Sequence, residues 1–311
     1  MSASEGPAGQ SPIDRKPTQT SDSLSRPEPP EHHFPRGTAL PSQSPLYWVA
    51  QKDRYLRQIL IRDIEGLTSR RLLVYFANRF RPEANIDDAD PAYVMELVGD
   101  VAKDDPVDLL LETNGGKTDA TEAVIAVLQN RLSSDLRVIV ANAAKSNGTL
   151  IGLAARAIVM GPASELGPID PHLNGIPCTV LSDPVVAQTN FPLHQLAVLG
   201  LKQTRTLAER LLRNGMLKGR DAAEIERVVS TLASRETYFS HGSVIDHREA
   251  LALSLNVEYL TAGDPVWERI WILYCMYDFD SRRDDYLKIF EGRARSTAIS
   301  APRAQSTGTP S

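Results

Sequence analysis

Between residues 71 and 160 the chain alternates short aliphatic segments with segments of helical character, and this alternation restricts the possible folds more than any other feature. The aliphatic segments are residues 71–76, 107–112, 136–141 and 157–160. Apolar residues recur at helical spacing in 91–102, where Asp90 can cap the start, and in 120–132, while 146–155 is rich in small residues. Strands separated by helices are typical of βαβ units with right-handed crossovers. The sequence therefore predicts an α/β fold with a mostly parallel sheet.

The second half of the chain is predominantly helical in pattern. Helices are predicted over 196–212, 222–237 and 247–253, followed by a strand over 257–260 and a helix over 265–277. The last of these helices carries Trp267, Ile270, Trp271 and Tyr274 on one face. We expect this aromatic face to serve core packing or subunit contact.

Both ends of the chain differ in composition from its centre. Residues 1–44 and 293–311 are rich in Pro, Ser, Gly or charge and poor in aliphatic side chains. Such segments bury too little apolar surface to offset the entropy lost on ordering, so we expect both tails to be disordered. The predicted folded domain is 45–292.

Composition excludes several classes of protein. With 34 basic and 39 acidic residues, a net charge of −5 gives no electrostatic basis for binding nucleic acid or an anionic membrane. No secretory signal and no apolar segment of spanning length is visible. The two cysteines, Cys178 and Cys275, do not form a disulfide framework. We expect a cytoplasmic protein.

Ser146 stands where the third predicted strand turns into a helix of small residues. The carboxyl edge of a parallel sheet is where α/β proteins place ligands, and a helix N-terminus attracts anions. Acyl transfer through a serine needs preorganised donors for its oxyanion. A serine at this position is also a common N-cap, so the pattern alone leaves a purely structural role open.

Two further segments follow predicted strands. The sequence Thr113-Asn114-Gly115-Gly116 allows close backbone approach to a ligand and indicates an oxyanion site or a substrate cradle, or else a tight turn. It is not a phosphate-binding P-loop, because Leu111 stands where that motif needs its first glycine. Asp170, held extended before Pro171, is either a carboxylate that orients a histidine or a turn residue.

Together the TNGG segment, AKSNGTLIGLAARAIVMGP and SELGPIDP resemble the serine dehydrogenase proteinase family, which is related to the Clp peptidase subunit and to signal peptide peptidase A. The resemblance covers about residues 72–260. It implies a Clp/crotonase-type fold and a catalytic serine, aspartate and histidine in that chain order. On this sequence it assigns the nucleophile to Ser146 and the orienting acid to Asp170. Gly115, Gly116 and Asn147 then lie on the oxyanion side.

The general base has several candidates. His241 satisfies the family's order and precedes a segment that resembles the family's closing sequence. His172 follows Ser146 at a spacing close to that of the Clp peptidases. Relatives with a serine–lysine dyad keep Lys202 and Lys145 open, although a lysine base needs burial to lose its proton. No base at all is the remaining alternative. A metal site built from His172, Cys178, His194, His241 and His247 lacks a ligand spacing.

The sequence therefore predicts a serine peptidase that acts on a peptide or protein substrate, requires no cofactor or metal, and is a homo-oligomer. Two alternatives stay open. One is an inactive scaffold of the same fold that binds peptides or partner subunits. The other is a crotonase-type acyl-CoA enzyme, although the acidic pair and adenine site that it requires are not visible.

Overall fold

The computed structural model describes residues 44–302, so the predictions for 1–43 and 303–311 lie outside the described residues. The helices within this range are α1 Pro45–Ala50, α2 Lys52–Thr68, α3 Asp90–Leu97, α4 Thr118–Arg131, α5 Asn147–Leu153, α6 Cys178–Leu181, α7 Pro184–Thr189, α8 Phe191–Asn214, α9 Ala222–Leu232, α10 His247–Ala252 and α11 Pro265–Arg283. The strands are β1 Arg71–Ala77, β2 Val107–Glu112, β3 Leu136–Val140, β4 Ala143–Ala144, β5 Ala157–Met160, β6 Glu165–Leu166, β7 His172–Leu173, β8 Ile176–Pro177, β9 Val257–Tyr259, β10 Tyr286–Gly292 and β11 Ser296–Ser300.

The main sheet has seven strands in the order β11-β10-β1-β2-β3-β5-β9. β1, β2, β3, β5 and β9 are parallel, whereas β10 pairs antiparallel with β1 and β11 pairs antiparallel with β10. The predicted α/β class with a mostly parallel sheet is confirmed. The predicted helices are present with ends that differ by several residues.

Hydrophobic side chains cover both faces of the sheet. Along β1, Leu73 and Tyr75 belong to the core cluster on one face, while Leu72 and Val74 belong to the cluster on the other. This alternation follows from the two-residue period of a strand. The first cluster contains buried side chains of α3, α4, α5, α8 and α9, and the second contains those of α2 and α11. The arrangement is a three-layer sandwich of helices, sheet and helices.

The aromatic face of α11 is divided between core and surface. Trp267 and Ile270 are buried with Leu273 and Tyr277 in the second core cluster. Trp271 is 37% exposed and stacks on Tyr274 at a centroid distance of 5.1 Å. The packing role expected for this face is therefore correct for its buried part, and Trp267 is not accessible for a subunit contact.

Two sequence expectations need correction. Asp90 does not cap α3 but lies inside its first turn, where its buried carboxylate contacts Tyr75 and Lys288. The folded region does not end at residue 292, because residues 296–300 form β11 at the edge of the sheet. An edge strand is held by backbone hydrogen bonds and keeps polar side chains in solvent, so its composition resembles that of a tail.

Candidate active site

A small second layer of strands joins the segments that follow β2, β3 and β5. Thr113 pairs with Ala144 in an isolated bridge, β4 pairs with β6, and Leu166 pairs with Ile245. Backbone hydrogen bonds fix this order, from Thr113 N to Ala143 O at 3.0 Å and from Leu166 N to Ile245 O at 2.9 Å. The glycine segment, the serine turn, the segment before Asp170 and the segment after His241 are therefore neighbours at one edge of the sheet.

Ser146 occupies a strained turn between β4 and α5. It is the N-cap residue of α5 with φ 53° and ψ −118°, a backbone conformation that residues other than glycine rarely adopt. Its side chain makes no capping hydrogen bond, which removes the structural role that the sequence left open. Such a strand-to-helix turn presents a serine hydroxyl at the edge of a sheet.

Gly115 and Gly116 fill a space too narrow for any side chain. A Cβ on Gly115, which has φ +104°, would lie 2.8 Å from the Ser146 Cβ and 3.1 Å from the Asn147 nitrogen. A Cβ on Gly116 would lie 2.3 Å from the carbonyl oxygen of Ile86. The glycine pair therefore lets the loop after β2 pack directly between Ile86 and the serine turn.

The amides around this contact differ in their availability. The Gly115 N–H donates to Thr113 Oγ1 at 3.0 Å, so it is already engaged. Within residues 44–302 the Gly116 N–H has no acceptor, and the Asn147 N–H lies in the first turn of α5. The Asn147 side chain donates to Gly116 O and so connects α5 to the glycine loop.

Asp170 and His241 form a buried carboxylate–imidazole pair. Asp170 is 1% exposed, and its Oδ1 lies 2.8 Å from Nδ1 of His241. The other carboxylate oxygen accepts a hydrogen bond from Arg235 at 3.3 Å, and Arg235 also donates to Phe239 O at 2.9 Å. With the Nδ1–H donating to Asp170, Nε2 of His241 carries the lone pair that a base requires.

His172 lies against the same pair. Its Nε2 is 3.8 Å from Asp170 Oδ2, its Nδ1 is 3.1 Å from Asp170 O, and its ring meets the His241 ring edge-on at 4.2 Å between centroids. Burial and the neighbouring His241 lower the pKa of His172. Both candidate histidines are thus at one place, but only His241 is at hydrogen-bonding distance from the carboxylate.

The two candidate lysines occupy different surroundings. Lys145 is buried, and its Nζ lies 3.0 Å from the Glu165 carboxylate and donates to Leu166 O and Ser243 O at 3.2 and 3.0 Å. The pKa of Lys145 lies below its ordinary value, because burial lowers it more than the Glu165 carboxylate raises it. Lys202 is exposed on α8 and lacks the burial that a lysine base requires.

The sequence alone did not indicate Arg235 or the role of Lys145 in joining segments. Lys145 and Ser243 are 98 residues apart, and Asp170 and Arg235 are 65 apart. No local motif marks contacts of this range. Among residues 44–302, the serine hydroxyl itself makes no hydrogen bond to either imidazole.

The fold and this edge define an α/β protein with a strained serine turn, a glycine loop and a carboxylate–histidine pair. A family profile described as ClpP-like SDH-type serine proteinase matches residues 80–268, which include Ser146, Asp170 and His241. The chain belongs to this family, so the resemblance inferred from the sequence motifs is confirmed.

Individual relatives are more distant. An uncharacterized protein of Methanocaldococcus jannaschii is 29% identical over 177 residues, covering 54% of this chain and 59% of the relative. A second uncharacterized protein of that organism is 32% identical over 88 residues, covering 28% of this chain and 30% of its own length. The chain thus spans less than two thirds of either curated relative.

Among solved structures, ClpP1 from Listeria monocytogenes and a point mutant of it are similar to this chain. They share 14% and 13% sequence identity, with TM-scores of 0.39 and 0.40, and in each case 65% of this chain and 98% of the other are covered. Within residues 44–302, no helix combines the length and apolar character needed to cross a membrane.

Proposed function

We propose that the chain is a serine peptidase that hydrolyses peptide bonds through an acyl-enzyme on Ser146, with His241 as general base and Asp170 as the orienting acid. The observation that carries this proposal is the 2.8 Å contact between the buried Asp170 carboxylate and His241 Nδ1. A carboxylate in that position selects the tautomer in which Nε2 accepts a proton, and it stabilises the imidazolium that forms.

The position of the serine supports the same assignment. Lys145, directly before Ser146, donates to the carbonyl of Ser243, two residues after His241. This contact keeps the nucleophile and the base loop at the same edge of the sheet. In the proposed reaction Nε2 of His241 takes the proton of the Ser146 hydroxyl as its oxygen attacks the peptide carbonyl. The protonated imidazole then gives this proton to the leaving amine, and water hydrolyses the acyl-enzyme.

The Gly116 and Asn147 N–H groups are our candidates for the oxyanion hole. Both flank the serine turn, and neither has an acceptor within the described residues. Donors fixed by a packed loop and by the first turn of a helix need no reorganisation when negative charge develops. Gly115 contributes the close approach rather than a donor, since its own N–H is engaged by Thr113.

We also propose that the protein works as a homo-oligomer. Large apolar side chains are exposed along β8 and α6 to α8, namely Ile176, Val180, Val185, Phe191, Leu196 and Leu199. Large exposed apolar side chains concentrated in consecutive elements are typical of a protein–protein contact surface. Sedimentation velocity of the purified chain would test this, and a single monomeric species at micromolar concentration would contradict it.

An inactive scaffold that binds peptides is the second candidate. It is favoured by one observation, the absence of a hydrogen bond between the Ser146 hydroxyl and either imidazole within residues 44–302. Serine hydrolases in their free form often have long distances here, so this observation does not outweigh the Asp170–His241 pair.

Covalent labelling separates the two candidates. The full chain is incubated with a fluorophosphonate, and the adduct is measured by intact mass, beside Ser146→Ala, His241→Ala and, as a matched histidine control, His247→Ala. We expect one adduct on the parent and on His247→Ala, and none on the other two. If the parent in its assembled form stays unlabelled, the scaffold is the correct description. Labelling retained in His241→Ala would move the base to His172.

A further inference from the structure

Asp170, His172 and His241 together form a cluster of metal-binding side chains. One ligand atom from each residue can be chosen so that all three lie within 4.8 Å of one another. We propose that this cluster binds a divalent transition-metal ion of the zinc class, and that the bound ion inhibits the enzyme reversibly. The binding site stands on the geometry alone, whereas the inhibition rests on the proposed function.

The orientation of His172 carries this proposal. Its Nδ1 lies 3.1 Å from the backbone carbonyl of Asp170, and an N–H there donates to that oxygen. Its Nε2 lone pair then faces Asp170 Oδ2 at 3.8 Å, two acceptors with no proton between them. Histidines that bind metals usually donate their other ring N–H to a carbonyl or carboxylate in this way. A cation between Nε2 and Oδ2 would give Nε2 a partner and would compete with Arg235 for Oδ2.

Spacing and access are also suitable for zinc. Ligands of a tetrahedral zinc ion are roughly 3.3 Å apart when its bonds are 2.0–2.1 Å long. Nε2 of His172 lies 3.8 Å from Oδ2 of Asp170 and Nδ1 of His241 lies 2.8 Å from Oδ1, so small side-chain rotations would bring the three ligand atoms to that spacing. The side chain of His241 is 34% exposed, so an ion can enter from solvent and keep a water as its fourth ligand.

Arg235 opposes binding, because its guanidinium lies 3.3 Å from Asp170 Oδ2. We therefore expect a reversible site rather than a permanently occupied one. Whichever nitrogen of His241 binds the ion, the imidazole loses its place in the triad. Binding at Nε2 occupies the lone pair that would accept the serine proton, and binding at Nδ1 replaces the hydrogen bond to Asp170.

Calorimetric titration with Zn²⁺ tests the site without any need for activity. The titrated protein is the full chain carrying Cys275→Ser, His32→Ala and His33→Ala. These changes remove an exposed thiol and two consecutive histidines, which are also side chains of the kind that bind zinc. We expect one zinc ion per chain. His172→Ala weakens the affinity at least about 10-fold, and the nearly isosteric Asp170→Asn weakens it similarly. Ser146→Ala and the control His247→Ala bind like the parent.

Equal affinity in His172→Ala, Asp170→Asn and His247→Ala would overturn the proposed site. Circular dichroism confirms that each variant is folded before titration. Fluorophosphonate labelling with and without Zn²⁺ then tests inhibition, which we expect EDTA to reverse. If the protein binds zinc but its metal-free form never reacts with the fluorophosphonate, the metal site is retained and the peptidase is rejected. If the protein is labelled but binds no zinc, the peptidase is retained and the metal site is rejected. If zinc binds without slowing the labelling reaction, the proposed inhibition is rejected.

Discussion

Replacing Gly115 by alanine tests whether the glycine loop packs against the serine turn as the structure describes. The new Cβ would lie 2.8 Å from the Ser146 Cβ and 3.0 Å from Lys145 O, both well inside ordinary contact. Because Lys145 O and Ser146 belong to a turn with little freedom, relief of the clash must displace the serine or the loop. We expect a loss of stability and a larger loss of labelling at Ser146.

The size of the effect can be separated into two parts. The φ of +104° costs alanine about 1–2 kcal/mol relative to glycine. Overpacking of a filled site adds about 1–3 kcal/mol. Gly219 provides a matched control, since its φ is +85° and nothing lies within 4 Å of an added Cβ. Gly219→Ala thus carries the backbone cost alone, and the difference between the two variants measures the clash.

Urea unfolding gives the free energies of unfolding, and the fluorophosphonate reaction gives the rate at Ser146. We expect Gly115→Ala to be less stable than Gly219→Ala by about 1–3 kcal/mol. We also expect Gly115→Ala to label at least about 10-fold more slowly, because displacing a reacting group by about an ångström slows its reaction by this much or more. Gly219→Ala should label like the parent. Equal stabilities and equal labelling rates in the two variants would refute the close packing of Gly115 on the serine.

Three further variants test separate parts of the structure. Asp170→Asn should slow labelling on the order of 10⁴-fold, because the amide no longer selects the productive tautomer of the imidazole; a loss below 10-fold would show that this carboxylate does not orient the base. Lys145→Met should lower the free energy of unfolding by about 2–4 kcal/mol and slow labelling, since the Glu165 carboxylate and two carbonyls lose their donor. Labelling should persist at this reduced rate, and its complete loss in a folded variant would instead make Lys145 the base. Burial raises the pKa of Glu112 from its ordinary 4.5 to about 7, so the folded state holds this proton more tightly than the unfolded state. Between pH 4.5 and pH 7 the free energy of unfolding of the parent should therefore fall by up to about 3 kcal/mol more than that of Glu112→Gln. Parallel pH profiles of the two proteins in urea unfolding would contradict this.

The parallel strands β1, β2, β3 and β5 could be predicted from sequence because they are buried on both faces. β2 and β3 read as nearly continuous aliphatic segments for that reason. β10 escaped prediction since Lys288 and Glu291 interrupt its apolar pattern. Both charges are buried and paired, Lys288 with Asp90 and Glu291 with Arg57. Sequence patterns treat charged residues as exposed, so a buried ion pair conceals the strand that contains it.

The residues of the candidate site could be proposed one by one from the sequence, but their arrangement could not. Ser146 and Asp170 follow strands, and the ends of parallel strands meet at one edge of a sheet. His241 follows no predicted strand, and only the family resemblance, through chain order and the segment after it, suggested it. The elements that bring it close are the two-residue strands β4 and β6 and the bridge from Leu166 to Ile245. Strands this short leave no periodicity in a sequence.

Ser146 and His241, the proposed nucleophile and base, are held in place by different forces. Ser146 is fixed by packing, since α5 behind it is entirely buried and Gly115 lies against its Cβ. The segment around His241 is anchored in the core at Tyr238 and Ile245, but between them Phe239 is 81% exposed. Arg235 holds this segment at Phe239 O, and Lys145 holds it at Ser243 O.

Each of these two cations also contacts the segment that carries the acid, Arg235 at Asp170 and Lys145 at Leu166 O. Between its core residues, the segment around His241 is therefore held against the Asp170 segment by two charged side chains, whereas Ser146 depends on the core. The Arg235 contacts are partly exposed, and such contacts open at lower free energy than packed helices do. It follows that disturbance of the site should release His241 first and leave Ser146 in its turn.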